Sequence, residues 1–170
     1  MKRLLLAAAV SLLTAGSALA QTVYLVRHAE KADASADPAL SEAGQARAAA
    51  LAEALRDAHP VLVLTSPLQR TRLTATPTAE YHSAPVEAVS LEGGGAAHIA
   101  AAVARVRALP ADATVLIVGH SNTVPAIARA LGYAEAADMP ECEYDRMTVL
   151  HLMGEAAHGM VSRYGAPTTC

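Results

Sequence analysis

Short apolar runs alternate with longer segments of helical periodicity along most of the chain. The runs predict strands, because they are rich in β-branched and aliphatic residues, and they lie at 22–26, 61–64, 86–89, 114–118, 147–153 and 160–164. The segments after the first four runs predict helices, which begin at Ser41, at Ser66, after Gly95 and at Asn122 or Thr123. A turn around 154–159 is predicted to join the last two strands.

This alternation predicts an α/β fold, a three-layer α/β/α sandwich on a mostly parallel sheet with an antiparallel edge strand near the C-terminus. The sequence shows no internal repeat and no second domain, so we expect residues 21–170 to form a single domain. In sheets of this kind, functional side chains collect at the carboxyl ends of the strands.

Residues 1–20 have the pattern of a secretory signal peptide. Lys2 and Arg3 give a basic start, residues 4–13 are almost entirely apolar, and Ala18-Leu19-Ala20 resembles a signal peptidase site. The apolar stretch is too short for a spanning helix, and no cysteine follows the cleavage site to carry a lipid. We therefore expect a periplasmic or secreted protein without a membrane anchor.

The composition narrows the possible partners. A net charge of −3 and the absence of Trp and Phe argue against nucleic acid, which is bound by clustered cations and stacking aromatics. No CxxC or HExxH motif indicates a metal site, and no cofactor is expected. Export would place Cys142 and Cys170 in an oxidising compartment, where they could pair, two free thiols being the alternative. The oligomeric state stays open.

Histidines and arginines follow three of the predicted buried strands. Arg27 and His28 come after the first, Ser66 and Arg70 after the second, and His120 after the strand that ends at 118. If these strand ends lie side by side, two imidazoles and two guanidinium groups meet in one pocket. A guanidinium group can donate two parallel hydrogen bonds to two oxygens of one phosphate. A neutral imidazole can act as a nucleophile. The pattern therefore favours chemistry on a phosphate group.

Four motifs in this order resemble those of the histidine phosphatase superfamily, branch 1, and in particular its small secreted bacterial members. They are Arg27-His28-Ala29-Glu30, then residues 40–46 (LSEAGQA), then residues 66–75 (SPLQRTRLTA), and then residues 118–122 (VGHSN). The resemblance covers essentially all of residues 21–165. The superfamily includes the phosphoglycerate mutase-like enzymes.

The resemblance implies a role for each matching residue. His28 corresponds to the nucleophile that becomes phosphohistidine, Arg27 and Arg70 to phosphate-binding arginines, and His120 to the second histidine on the phosphoryl oxygens. Ser121 and Asn122, at a predicted helix start, would add backbone amides to the phosphate site.

A proton donor for the leaving group is harder to place. Glu92 is the acidic residue closest to the region after the third strand, where the family's acids lie, and Glu30 is a second candidate because it is near His28 in the sequence. Some small family members act without a strong acid, on good leaving groups. Residues 141–145 form an acidic stretch (ECEYD) that we interpret as a solvated loop, with a substrate-facing role as the alternative. We interpret Ser66 as a helix cap, and we expect the pocket walls to come from the loops near 31–39, 92–96 and 139–144.

The resemblance and the signal-peptide pattern together predict an exported phosphomonoesterase of the histidine acid phosphatase type, which hydrolyses a small phosphomonoester through phosphohistidine on His28. One alternative is a phosphotransferase of the phosphoglycerate mutase type, which export and the short chain disfavour. Another is a non-catalytic protein that binds phosphate or sugar phosphates on the same fold. The sequence does not identify the substrate.

Overall fold

The computed structural model describes residues 20–170, so the predicted signal peptide lies outside the described residues except for Ala20. Within this part of the chain, six strands and four helices follow one another: β1 (Gln21–Arg27), α1 (Glu42–Ala54), β2 (Leu62–Thr65), α2 (Gln69–His82), β3 (Val86–Ala88), α3 (Gly94–Arg107), β4 (Thr114–Gly119), α4 (Thr123–Ala130), β5 (Arg146–Met153) and β6 (Ala156–Arg163).

All six strands form one sheet in the order β3-β2-β4-β1-β5-β6. Strands β3, β2, β4 and β1 are parallel, whereas β5 runs antiparallel to both β1 and β6. The predicted sandwich with its mostly parallel sheet is confirmed, and its antiparallel edge consists of two strands. The loop before β5 therefore reaches the same edge of the sheet as the carboxyl ends of the parallel strands.

The two faces of the sheet are covered by different helix pairs. Leu25 and Ile117 belong to the apolar cluster that also contains Val106 of α3 and Ile127 of α4. Val26 and Val118, their neighbours along the strands, pack with Leu51 of α1, with Leu55 directly after that helix, and with Ala75 and Ala79 of α2. Because successive strand residues point to opposite faces, the continuous apolar runs supply both sides of the core.

The helix starts differ in how they are capped. At α1 the predicted cap is confirmed, since the hydroxyl of Ser41 accepts a hydrogen bond from the Gly44 amide at 3.1 Å. Helix α2 was predicted to open at Ser66, but it begins at Gln69, and Leu68 precedes it without a side-chain cap. The Ser66 hydroxyl lies before the helix, where it accepts a hydrogen bond from the Leu68 amide at 3.3 Å and contacts both Thr71 Oγ1 and His120 Nε2 at 3.0 Å.

The turn between the last two strands is shorter than predicted. Strand β6 begins at Ala156, so Gly154 and Glu155 alone connect it to β5, and Gly154 adopts a φ of 64°. A two-residue hairpin turn commonly needs such a positive φ, which glycine adopts without a steric penalty.

A disulfide between Cys142 and Cys170 ties the loop before β5 to the C-terminus. Thr168 contributes to the same attachment, because its hydroxyl accepts a hydrogen bond from the Tyr144 amide at 3.3 Å and donates one to Asp145 Oδ1 at 2.6 Å. Among residues 20–170, every helix is too short or too polar to cross a lipid bilayer.

Candidate active site

The predicted site residues follow three neighbouring strands and therefore lie at one edge of the sheet. Strand β4 lies between β2 and β1, and Arg27 is in register with Gly119. The residues that follow, His28 and His120, therefore leave the sheet side by side, and the His28 amide donates to the Gly119 carbonyl at 2.9 Å. Ser66 follows β2 on the other side of β4.

Gly119 allows α4 to pack close to the end of β4. A Cβ at this position would lie 2.9 Å from Thr123 Oγ1 and 3.1 Å from Val124 Cγ2. Since Thr123 Oγ1 also accepts a hydrogen bond from the His120 amide at 3.0 Å, this packing fixes the turn that carries His120.

The His28 ring is buried, with 4% of the residue exposed. Its Nδ1 lies 2.8 Å from the carbonyl oxygen of Ala29. A carbonyl oxygen only accepts, so Nδ1 carries the proton and Nε2 keeps a free electron pair. Burial lowers the pKa of His28 to about 4, and the charges of Arg27 and Arg70 contribute to this shift. The ring is therefore neutral at pH 7 and suited to nucleophilic attack.

His120 lies beside His28, with the ring centroids 5.3 Å apart. Its Nε2 is 3.0 Å from the hydroxyl of Ser66, which is buried at the end of β2. Burial lowers the pKa of His120 to about 3, with further contributions from His28 and Arg70. Both imidazoles are thus neutral in the free protein, and the positive charge of the site comes from other side chains.

Arg27 is held on several sides by the loop before β5. It is 2% exposed, its Nη1 donates to the carbonyls of Pro140 at 3.3 Å and Glu143 at 3.4 Å, and Glu141 supplies a third carbonyl. The Tyr144 ring lies 4.1 Å from the guanidinium carbon, a cation–π distance. Arg27 therefore has a fixed position that does not depend on any one of these contacts.

Arg70 approaches from the first turn of α2. Its Nη1 lies 3.4 Å from the carbonyl oxygen of Ala36 and 3.7 Å from Asp37 Oδ1, both in the loop after β1. Its Nε is buried without a hydrogen-bond partner among the described residues.

These side chains surround one cavity of about 570 Å³. Its lining contains the four predicted phosphate-site residues, the two predicted helix-start residues and several others, namely Arg27, His28, Lys31, Leu68, Arg70, Leu91, Gly94, Gly95, His120, Ser121, Asn122, Thr123 and Glu141. The two arginines and Lys31 outweigh the charge of Glu141, the one carboxylate that lines this cavity in the described part of the chain.

Neither predicted proton donor lies in this lining. Glu92 is exposed in the turn before α3, where its amide donates to the Ser90 hydroxyl, whereas Leu91 and Gly94 on either side of it reach the cavity. Glu30 points away, into a bidentate ion pair with the buried Arg47 of α1, at 2.7 Å for Nη2 to Oε1. Their placement gives no support to a proton-transfer role for Glu30 or Glu92.

The acidic stretch 141–145 is not the solvated loop that we predicted. Glu141 Oε2 accepts a hydrogen bond from Arg27 Nη2 at 2.9 Å, and Oε1 accepts one from the Ser121 hydroxyl. The hydrogen bond from Ser121 lowers the pKa of Glu141 most, and the positive charge of Arg27 lowers it further, although desolvation of the carboxylate opposes both effects. Glu143 and Asp145 face the other side of the loop, where both pair with Arg163.

The loops near 31–39, 92–96 and 139–144 were expected to form the pocket walls, but no individual role was assigned to Lys31, Glu141 or Tyr144. The available signal was the antiparallel edge strand, because an antiparallel neighbour of β1 brings the loop at its N-terminal end to the edge where His28 lies. Lys31 was a further signal as the one lysine after residue 20, directly beyond the Arg27-His28-Ala29-Glu30 motif.

A search against family models matched residues 23–90 to the histidine phosphatase superfamily (branch 1). A solved structure from Nakamurella multipartitia, provisionally named phosphohistidine phosphatase SixA, is 30% identical, with a TM-score of 0.61 over 87% of this chain and 96% of that one. A protein of the same provisional name from Agrobacterium tumefaciens is 24% identical, with a TM-score of 0.62 over 86% and 97%.

Mycobacterial glucosyl-3-phosphoglycerate phosphatase is 18% identical, with a TM-score of 0.60 over 85% of this chain and 98% of that one, and so shares the fold. A comparison with curated protein sequences gave no significant match.

Proposed function

This chain belongs to the histidine phosphatase superfamily, branch 1, and from that premise we propose that it hydrolyses a small phosphomonoester through a phosphohistidine intermediate on His28. One observation carries the proposal: a neutral His28, with its proton on Nδ1, lies beside His120 in a cavity lined by Arg27 and Arg70. A protein that only binds phosphate has no need of a buried neutral imidazole with a free Nε2.

In the first step, the phosphoryl group of the substrate binds among Arg27, Arg70 and His120. His28 Nε2 attacks phosphorus, the bond from phosphorus to the leaving-group oxygen breaks, and the leaving group departs with that electron pair. The cationic side chains offset the negative charge on the transferred group, and such fixed electrostatic stabilisation supplies most of the rate in phosphoryl transfer.

In the second step, water attacks the phosphorus of phosphohistidine. The bond from phosphorus to Nε2 breaks, its electron pair returns to the imidazole, and inorganic phosphate forms. Throughout, the carbonyl oxygen of Ala29 accepts a hydrogen bond from Nδ1–H of His28. The ring therefore keeps the tautomer in which Nε2 is the reacting atom.

The acid–base character of the cavity points to a substrate class. Glu141 is the one carboxylate among its described lining residues, and its pKa is lowered, so it holds no proton to give at pH 7. An enzyme without a carboxylic acid favours leaving groups that depart without protonation. Among phosphomonoesters we therefore propose esters of acidic alcohols as the preferred substrates. Phosphoramidates, phosphohistidine among them, meet the same requirement, because their nitrogen already carries the proton with which it leaves as a neutral base when the bond from phosphorus to nitrogen breaks.

The proposal includes export to the periplasm or the medium. It is supported by the basic and apolar pattern of residues 1–20 with Ala18-Leu19-Ala20 at its end, and by the Cys142–Cys170 disulfide, a bond that persists in oxidising compartments.

Steady-state assays on three substrates test the function. We expect wild-type protein to hydrolyse phosphoramidate and an aryl phosphate at least about 10²-fold faster than an alkyl phosphate, because the alkoxide needs a proton. His28→Ala is expected to lower kcat on all of them by about 10³-fold or more.

His59→Asn serves as the matched control, since His59 is exposed and its φ of 48° suits asparagine. It is expected to leave all three rates unchanged. Undiminished hydrolysis by His28→Ala would refute the phosphohistidine route, and equal rates on alkyl and aryl phosphates would refute the substrate class.

A further inference from the structure

Glu141 occupies two groups of the candidate phosphate site in the free protein. Its Oε2 accepts from Arg27 Nη2 at 2.9 Å, and its Oε1 accepts from the Ser121 hydroxyl. A carboxylate with both oxygens bound in this way resembles two oxygens of a phosphate group in charge and in hydrogen bonding, since both are anionic acceptors for guanidinium and hydroxyl donors.

The two partners of this ion pair differ sharply in exposure. The Arg27 side chain is 2% exposed, whereas the Glu141 side chain is 82% exposed. An exposed carboxylate can leave such a contact by rotating into water, because water solvates the charge that the ion pair held. Arg27 cannot follow it, because the carbonyls of Pro140 and Glu143 and the ring of Tyr144 hold it.

The hydrogen bonds that fix Arg27 are largely independent of the Glu141 carboxylate. Glu141 itself contributes a backbone carbonyl to Arg27 Nη1, and a substitution of its side chain retains that carbonyl. Loss of the carboxylate should therefore leave the guanidinium in place, with Nη2 free to donate to another anion.

On this geometry we propose that Glu141 is a built-in competitor for the phosphate site: it binds Arg27 and Ser121 in the free enzyme, yields them to the phosphoryl group of the substrate, and returns to them as the product phosphate leaves. This inference rests on the proposed function and adds a residue that limits the affinity for product. A site with two arginines and a lysine would otherwise retain inorganic phosphate strongly.

Calorimetric titration with inorganic phosphate at pH 7 tests the inference without turnover. Glu141→Gln removes the charge and keeps the size of the side chain, and Glu141→Ala removes both oxygens. We expect both variants to bind phosphate about tenfold more tightly than wild type, and the inhibition constant of phosphate in the hydrolysis assay to fall by the same factor.

Glu80→Gln is the matched control, because it removes one negative charge from an exposed position on α2. It is expected to change the phosphate Kd less than about twofold. Equal tightening in Glu80→Gln would mean that net charge alone acts, and would overturn the inference.

The outcomes separate this inference from the function on which it rests. If wild-type protein binds phosphate and Arg70→Gln abolishes binding, the phosphate site stands. Unchanged or weaker binding by Glu141→Gln and Glu141→Ala then overturns the competitor role alone. If wild type and both Glu141 variants bind no phosphate, and wild type hydrolyses none of the three test substrates, the proposed function fails as well.

Discussion

His28 and His120 are two neutral imidazoles next to two guanidinium groups. Burial disfavours their protonated forms, and the charges of Arg27 and Arg70 act in the same direction. Different side chains therefore have different roles. The arginines carry the positive charge that binds phosphate, and His28 keeps the electron pair that attacks phosphorus. This division explains why a cluster of four basic side chains does not protonate its own nucleophile at neutral pH.

The pH dependence of kcat/KM follows from these positions. This quantity reports the ionisation of the free enzyme, and the pKa of His28 is lowered from 6.5 to about 4. Above that pH the nucleophile is neutral, and below it protonation removes the attacking electron pair. We expect kcat/KM to show no histidine-dependent loss as the pH falls from 7 to 5, and then to fall about tenfold per pH unit below about 4.

Assays with two aryl phosphates, whose phosphate groups differ in their second pKa, identify the part of this pH profile that is due to the protein. The part due to the substrate shifts from one ester to the other, whereas the limb due to His28 stays in place. A loss of activity centred near pH 6.5 with both esters would show that the nucleophile titrates like an exposed histidine.

At the scale of elements, the loop before β5 and the C-terminal tail act together as one wall of the site. Arg27 contacts the loop through hydrogen bonds and the Tyr144 ring, and the tail holds the loop from behind through Thr168 and the Cys142–Cys170 disulfide. The loop therefore derives its position from the tail as well as from β5.

Replacement of both cysteines by serine tests this attachment. A disulfide with a sequence separation of 28 residues contributes about 3–4 kcal/mol in the chain-entropy model, so we expect Cys142→Ser/Cys170→Ser to lose that much free energy of unfolding in urea titrations. Because the loop that holds Arg27 is released, we also expect KM to rise about threefold to tenfold, with a smaller change in kcat.

Reduction of the wild-type disulfide should reproduce both effects and should change nothing in the double variant. The proposed export has its own readout: an exported wild-type protein is expected to have the mass of the chain from Gln21 with the disulfide formed. A double variant with unchanged KM would show that Arg27 keeps its position without the tail.

For the molecule as a whole, the sequence predicted those features that depend on local patterns of residues. Apolar runs predicted the parallel strands to within a residue or two, and the order of strands and helices implied that His28 and His120 would leave the same edge of the sheet. The wall formed by Glu141 and Tyr144 depends instead on β5 pairing with β1, which is more than one hundred residues earlier. The loop near 139–144 was expected as a pocket wall, but which of its side chains face the site depends on that long-range pairing, whose register no local pattern specifies.

Glu92 shows the opposite difficulty. Its position after the third strand, where the acids of the resembling family lie, suggested a role in the site, and its neighbour Leu91 does line the cavity. The turn that begins α3 passes through Gly93, whose φ is 80°, and the side chain of Glu92 is exposed there. Side-chain direction within a turn depends on backbone angles that spacing alone does not specify.

The central claim is that the fold creates one nucleophile, His28, whose Nε2 receives the phosphoryl group. Its most direct test is to mix the protein with a radiolabelled aryl phosphate, to stop the reaction in alkali, which preserves phosphohistidine, and to locate the label by peptide mass spectrometry. We expect one labelled site, His28, with no label in His28→Ala and full labelling in His59→Asn. Label on His120 or on another residue, or turnover without any labelled protein, would contradict it.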